Sequence, residues 1–176
     1  DAVGSDVAVT RMLPDIIPVV PVLIVALSAC AVLVAEAFRR PGDWMPVGWL
    51  GIIGCAGGIL TSVSLWDRHA IGFGVVVLDN YAIFFNVTMC AIGILTILVS
   101  SGAAERDQLP VGEYYALTLF SLSGMMLMGS TNDLLVVFIA LEIMSLGVYV
   151  LTALRRASAA GAEAAFKDSV LGAFSS

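Results

Sequence analysis

Five stretches of this chain are each long and apolar enough to cross a bilayer, and that property decides its fold class. They run roughly over Ile16–Phe38, Pro46–Leu65, Leu78–Ser100, Gly112–Ser130 and Asp133–Leu154, and a sixth begins near Gly161. Each complete stretch has about 19–23 residues, the length a helix rising about 1.5 Å per residue needs to span the hydrocarbon. The runs are continuously apolar rather than alternating, which selects helices over a barrel. Composition agrees: 60% of the 176 residues are hydrophobic and 12% charged, and one soluble core could not absorb so much apolar surface. The expectation is an all-α, polytopic transmembrane helix bundle of five complete spans plus the start of a sixth, forming one transmembrane domain over residues 1–176. The sixth stretch stops at Ser176 partway across, and half a helix leaves backbone carbonyls unsatisfied in lipid. The domain is therefore expected to be incomplete at its C-terminal end.

Several function classes drop out. The net charge of −6 is spread over loops and helix ends, and no basic patch suggests nucleic acid. Cys30, Cys55 and Cys90 each stand alone in an apolar run and read as packed thiols; His69, the single histidine, has no second ligand nearby. No zinc, haem or iron–sulfur spacing is present, so a metal site is not expected. Met125, Met126 and Met128 read as bundle filler, and Gly51, Gly54, Gly57 and Gly58 as a small-residue face for close helix packing. Pro14, Pro18 and Pro21 crowd the start of the first span, where missing amide donors matter least. With the N-terminus outside, the inner loops carry Arg39, Arg40, Arg106, Arg155 and Arg156 against Arg11 and Arg68 outside, which favours that orientation. The very short connection Ser130–Asn132 makes the fourth and fifth helices an antiparallel neighbouring pair.

Three ionisable residues stand out against this background. Glu142 lies about 14 Å into a span about 33 Å long, where a charge costs on the order of 3 kcal/mol on insertion scales. Its helical face includes Phe138, Ser145 and Tyr149, a polar stripe that suits a carboxylate turned into protein. The plain alternative is a neutral glutamate hydrogen-bonded inside a bundle, but acids at this depth usually mark ion or proton paths. Glu113 opens the fourth helix, where complementing the helix dipole would suffice. Lys167 has Glu163 four residues before it as a helical ion-pair partner, yet sits deep enough to be buried. Glu113 and Lys167 fall on the inner side with Glu142 at mid-depth, an arrangement that would make an inner half-path for protons. Asp79 and Asp133 read as helix caps, and Glu36 as an interfacial partner of Arg39 and Arg40.

The stretch "GEYYALTLFSLSGMMLMGSTNDLLVVFIALEIMSLGVYVLTALRR", followed by "EAAFKDSVLGAFSS", resembles subunit N of bacterial NADH–quinone oxidoreductase, respiratory complex I. That subunit belongs to the antiporter-like, proton-translocating membrane proteins. The likeness is strong from Gly112 to Ser176 and moderate from Leu78 to Ser100, with "VVVLDNYAIFF" its best part there; before Leu78 only the helix pattern agrees. It implies that Glu142 is the fifth-helix glutamate that pairs with a lysine on the seventh helix. Glu113 would be the fourth-helix acid and Lys167 the sixth-helix lysine, and the three would serve proton translocation.

The resemblance further implies a subunit of about fourteen helices, of which this chain is the N-terminal part. It would sit in the bacterial plasma membrane among other membrane-arm and peripheral-arm subunits and lipid. No cofactor is expected in this chain; NADH, FMN, iron–sulfur clusters and quinone belong to partner subunits. Asp168 departs from the pattern, standing where an aromatic or apolar residue is expected. Two other readings compete: a subunit of a multi-subunit sodium/proton antiporter, and a truncated structural membrane subunit without transport activity.

Overall fold

The computed structural model describes residues 15–38, 47–106 and 110–153, and positions 166, 167, 170–172 and 174. After a 3-10 turn at Ile17–Val19 come five long helices: α1 Val20–Phe38, α2 Val47–Ser64, α3 Asn80–Arg106, α4 Val111–Gly129 and α5 Leu134–Ala153. Pro18 lies in the opening turn and Pro21 in the first turn of α1, where no intrahelical donor is lost. Four of the helices (α1, α2, α3 and α5) are long and apolar enough to cross a membrane. The remaining one, α4, expected as a fifth span of the same kind, falls short in apolarity because it carries Glu113, Thr118, Ser121 and Ser123 in the same length. It is also the helix that packs against all four others.

The arrangement of small residues explains how α4 can be central. Gly51 of α2 lies against Ile97 and Leu119, Gly54 against Ser28, Gly57 against Ile24 and Gly58 against Cys90 and Val25. The glycine face of α2 thus lets α1, α3 and α4 approach closely, as small residues do where lipid supplies no hydrophobic drive. A buried cluster runs through the bundle from Val22, Val25, Ala29 and Val32 of α1 to Tyr115, Leu119, Leu122 and Met126 of α4. All three cysteines are free thiols: Cys55 and Cys90 are packed inside, as expected, at the α2–α3 contact against Gly93 and Gly58, whereas Cys30 is exposed, which corrects the reading of it as a packed thiol. Cys90 Sγ in turn lies 3.8 Å from Met126 Sδ.

A second correction concerns the α2–α3 connection. Leu78 does not begin the third helix but ends a small antiparallel hairpin, β1 Ala70–Gly72 and β2 Val76–Leu78, with Ala70 opposite Leu78 and Gly72 opposite Val76. The alternation that signals a strand is too short to stand out beside a long apolar run. Phe73 and Gly74 both have positive φ, 52° and 73°, and the Val75 N–H donates to the Gly72 carbonyl at 3.1 Å. That is the primed turn a tight hairpin needs.

The hairpin clamps the α4–α5 connection. The Val77 N–H donates to the Ser130 carbonyl at 2.8 Å, and the Thr131 hydroxyl donates to the Val75 carbonyl at 2.6 Å. Asp79 caps α3 by accepting from the Ala82 N–H at 2.7 Å. Asp133 caps α5 by accepting from Leu135 and Val136 at 2.8 and 3.2 Å. Both acids therefore do what capping demands.

Candidate functional site around Glu142

The α4–α5 contact fixes where Glu142 points. Gly124 of α4 sits against α5 backbone: a Cβ there would come 2.8 Å from the Ala140 carbonyl oxygen and 2.9 Å from the Met144 nitrogen. One turn along, the Ser121 hydroxyl donates across the contact to the Met144 carbonyl at 3.2 Å, and Gly147 lies over Ser121. Ala140 and Gly147 are the buried residues of α5. At 100° per residue, Glu142 stands roughly 150° around the helix from the line through Ala140, Met144 and Gly147. It therefore projects away from α4. Phe138, Ser145 and Tyr149 share its face, as the sequence suggests, and Phe138 is 48% exposed there.

Glu142 itself is half-buried, and no hydrogen bond or ion pair joins it to another described residue. Its depth follows from the same crossing, since Ala140 and Met144 bracket it at the level of Gly124. The site is thus a carboxylate at mid-helix, on a polar stripe, on the side of α5 that these helices leave open.

The other two candidates lie apart from it. Glu113 is exposed in the first turn of α4, about 11 residues from Gly124 and so roughly 16 Å along the axis from the level of Glu142. Lys167 is exposed as well. Gly172 packs against Tyr149, so the last described segment covers the end of the Glu142 stripe. The structure does not bring the three into contact. The ion-pair partners named for Lys167 and Glu36 (Glu163, and Arg39 with Arg40), the substitution at Asp168, the charged residues Arg11, Arg155 and Arg156, and the start of the sixth stretch near Gly161 lie outside the described residues.

Sequence spacing offers no reason to link Glu36 to Glu113, yet the fold places them together. Glu36 packs tightly on Gly112: a Cβ at that glycine would come 2.5 Å from Glu36 Cβ and Cγ and 2.8 Å from Cδ. Its half-buried side chain thus lies at the start of α4, immediately before Glu113. The only trace of this in the sequence is the glycine before Glu113. Among the described residues no group of three His, Cys, Asp or Glu side chains could hold a metal ion.

Comparison with known proteins gives a consistent result. No family model matches the chain. It is 37% identical over 173 residues to NADH-quinone oxidoreductase subunit N 2 of Koribacter versatilis, covering 91% of this chain and 34% of that protein. To NADH-quinone oxidoreductase subunit N of Trichlorobacter lovleyi it is 35% identical over 158 residues, 89% of this chain and 32% of the relative. A chain of respiratory complex I from Thermus thermophilus, solved with bound aureothin, superposes with a TM-score of 0.70 at 26% identity, over 88% of this chain and 33% of that one. The chain spans about a third of the length of the curated relatives it matches. The helices are thus those of a multi-pass membrane protein, similar in sequence and fold to about a third of the length of NADH-quinone oxidoreductase subunit N proteins.

Proposed function

We propose that this chain is part of a proton-translocating membrane-arm subunit of NADH–quinone oxidoreductase, with Glu142 as its switchable carboxylate. The observation that carries this reading is the direction of Glu142. A half-buried acid at the middle of a membrane-length helix faces away from α4, the helix on which α5 is packed most extensively. A carboxylate at such depth costs too much to sit there without a partner. The family resemblance supplies one: a lysine on a helix that lies outside this chain. Such a pair feels both burial and an opposite charge, so its protonation responds when the partner moves. Glu113 and Lys167 belong at the other ends of their helices, as steps of a water-linked path rather than as a contact triad. Glu36, packed at the start of α4, stands beside the first of those steps.

The same reading gives the remaining assignments. The protein lies in the bacterial plasma membrane with its N-terminus and the hairpin on the outer face. Its partners are the other membrane-arm and peripheral-arm subunits, together with lipid. NADH, FMN, the iron–sulfur clusters and quinone are held by partners, so the chain moves protons while they perform the redox reaction. The test is Glu142→Gln in the full-length subunit within the assembled complex. Coupled proton pumping should fall about tenfold or more while assembly and electron entry from NADH are kept; unchanged pumping would sink the role of Glu142.

A further inference from the structure

Ser62 of α2 is fully buried, and its Oγ has no hydrogen-bond partner, alone in this among buried side-chain atoms of the described residues. Its neighbours behave as hydroxyls in lipid-facing helices do, donating back to their own helix: Thr61 to the Gly57 carbonyl at 2.8 Å and Ser64 to Thr61 at 2.8 Å. What faces Ser62 follows from register. Gly51 meets Ile97, Cys55 meets Gly93 and Gly58 meets Cys90, so each step of three or four along α2 is matched by an equal step back along α3. The next step pairs Ser62 with Asn86.

Asn86 is itself 1% exposed and incompletely served. Its recorded contact is with the Ser130 hydroxyl at 3.5 Å, but that hydroxyl gives its one hydrogen to the Met126 carbonyl at 2.9 Å. Turning the carboxamide so that its nitrogen donates to Ser130 Oγ leaves the amide oxygen free for another donor. Two buried polar groups in one layer, on α2 and α3, thus each lack a good partner, the condition under which proteins hold an internal water.

We propose that Ser62 and Asn86 hold an ordered water molecule, in a hydrated recess entered from the hairpin end of the bundle. The entry is a pocket of about 240 Å³ lined by Asp79, Tyr81, Ser130, Thr131 and Asn132 among others. Ser130 lines that pocket on one side and touches Asn86 on the other. The recess is closed one turn deeper by a layer of sulfur. Cys90 and Met126 lie 3.8 Å apart with Cys55 beside them, all fully buried and without a strong hydrogen-bonding group. Glu142 stands at the level of Gly124, roughly 9 Å deeper than Ser130 along α4, with this sulfur layer in between. Water from the hairpin side therefore reaches Ser62 and stops, and the inference is independent of the role proposed for Glu142.

The test is a cryo-electron microscopy map of the assembled complex, at a resolution that shows waters. A peak at about 2.7–3.2 Å from both Ser62 Oγ and the Asn86 carboxamide is expected. A direct Ser62–Asn86 bond, or Ser62 donating to its own helix with no peak in the layer, would overturn the proposal. Radiolytic hydroxyl labelling gives a second readout. Met126, though fully buried, should be oxidised in the native complex, and several-fold less in a Ser62→Val, Asn86→Leu double variant. Equal labelling in the two would count against the site.

Discussion

The helices α4 and α5 are neighbours of nearly equal length, yet burial and apolarity run in opposite directions between them. Nine residues of α4 are buried, among them Ser121, Ser123, Gly112 and Gly124, and it is the helix too polar to qualify as a membrane span by composition. In α5 only Ala140 and Gly147 are buried, and only 11% of its most apolar stretch is covered, against a third in α1, α2 and α3. In water this would be inverted, because apolar residues go inside. In lipid the outer solvent is as apolar as leucine, so small and hydroxyl residues define the packed centre. Of these two helices, the more apolar one is the one left for lipid or for a further protein surface. Glu142 decides which of those faces α5, since its open side carries an acid that lipid would not tolerate.

The comparison can be broken most severely at Gly124. Any side chain there must displace α5 backbone rather than a flexible neighbour, because the near atoms are the Ala140 carbonyl and the Met144 nitrogen. Gly124→Leu should cost more than about 3 kcal/mol, the upper range of overpacking, and the full-length subunit should fail to accumulate in membranes. Immunoblotting of the membrane fraction reads this directly, and normal accumulation would mean that α4 and α5 do not cross at that residue.

Phe138 sharpens the other side of the comparison. It shares the face of Glu142 and is about half exposed in this bundle. If a further helix of the subunit covers that face, Phe138→Ala should lower the melting stability of the assembled complex by on the order of 2 kcal/mol, less than emptying a core phenylalanine site. Against lipid alone the same change would cost close to nothing, because truncation there exchanges one apolar neighbour for another.

These contrasts show what could be read from the residues. Membrane class, helix count, the antiparallel α4–α5 pair, the caps at Asp79 and Asp133 and the glycine face of α2 all follow from composition, spacing and turn chemistry, which act locally. The polar stripe through Glu142 was legible for the same reason: one helix carries all of it. The hairpin was not, because three-residue strands leave no periodicity of their own beside an apolar run. Glu36 against Gly112, Gly58 against Cys90 and Gly93 against Cys55 were not legible either. Each is a contact between helices far apart in sequence, and hydropathy carries no information about which face meets which.

The finest test of the α4–α5 contact is Ser121. Its hydroxyl hydrogen-bonds across this interface, to the Met144 carbonyl at 3.2 Å, whereas Ser123 two residues on donates within its own helix to Phe120 at 2.7 Å. Ser121→Ala removes a bond between helices, and Ser123→Ala removes one that any helix can do without. Interhelical hydrogen bonds in membranes average about 0.6 kcal/mol, since the separated helices find other partners. Ser121→Ala should therefore lower stability by about that amount and Ser123→Ala by less. Unfolding in mixed micelles, comparing both variants of the full-length subunit, measures the difference. Equal effects would mean that Gly124 and Gly147 hold α5 on α4 through close packing alone, with the Ser121 bond a consequence of that approach.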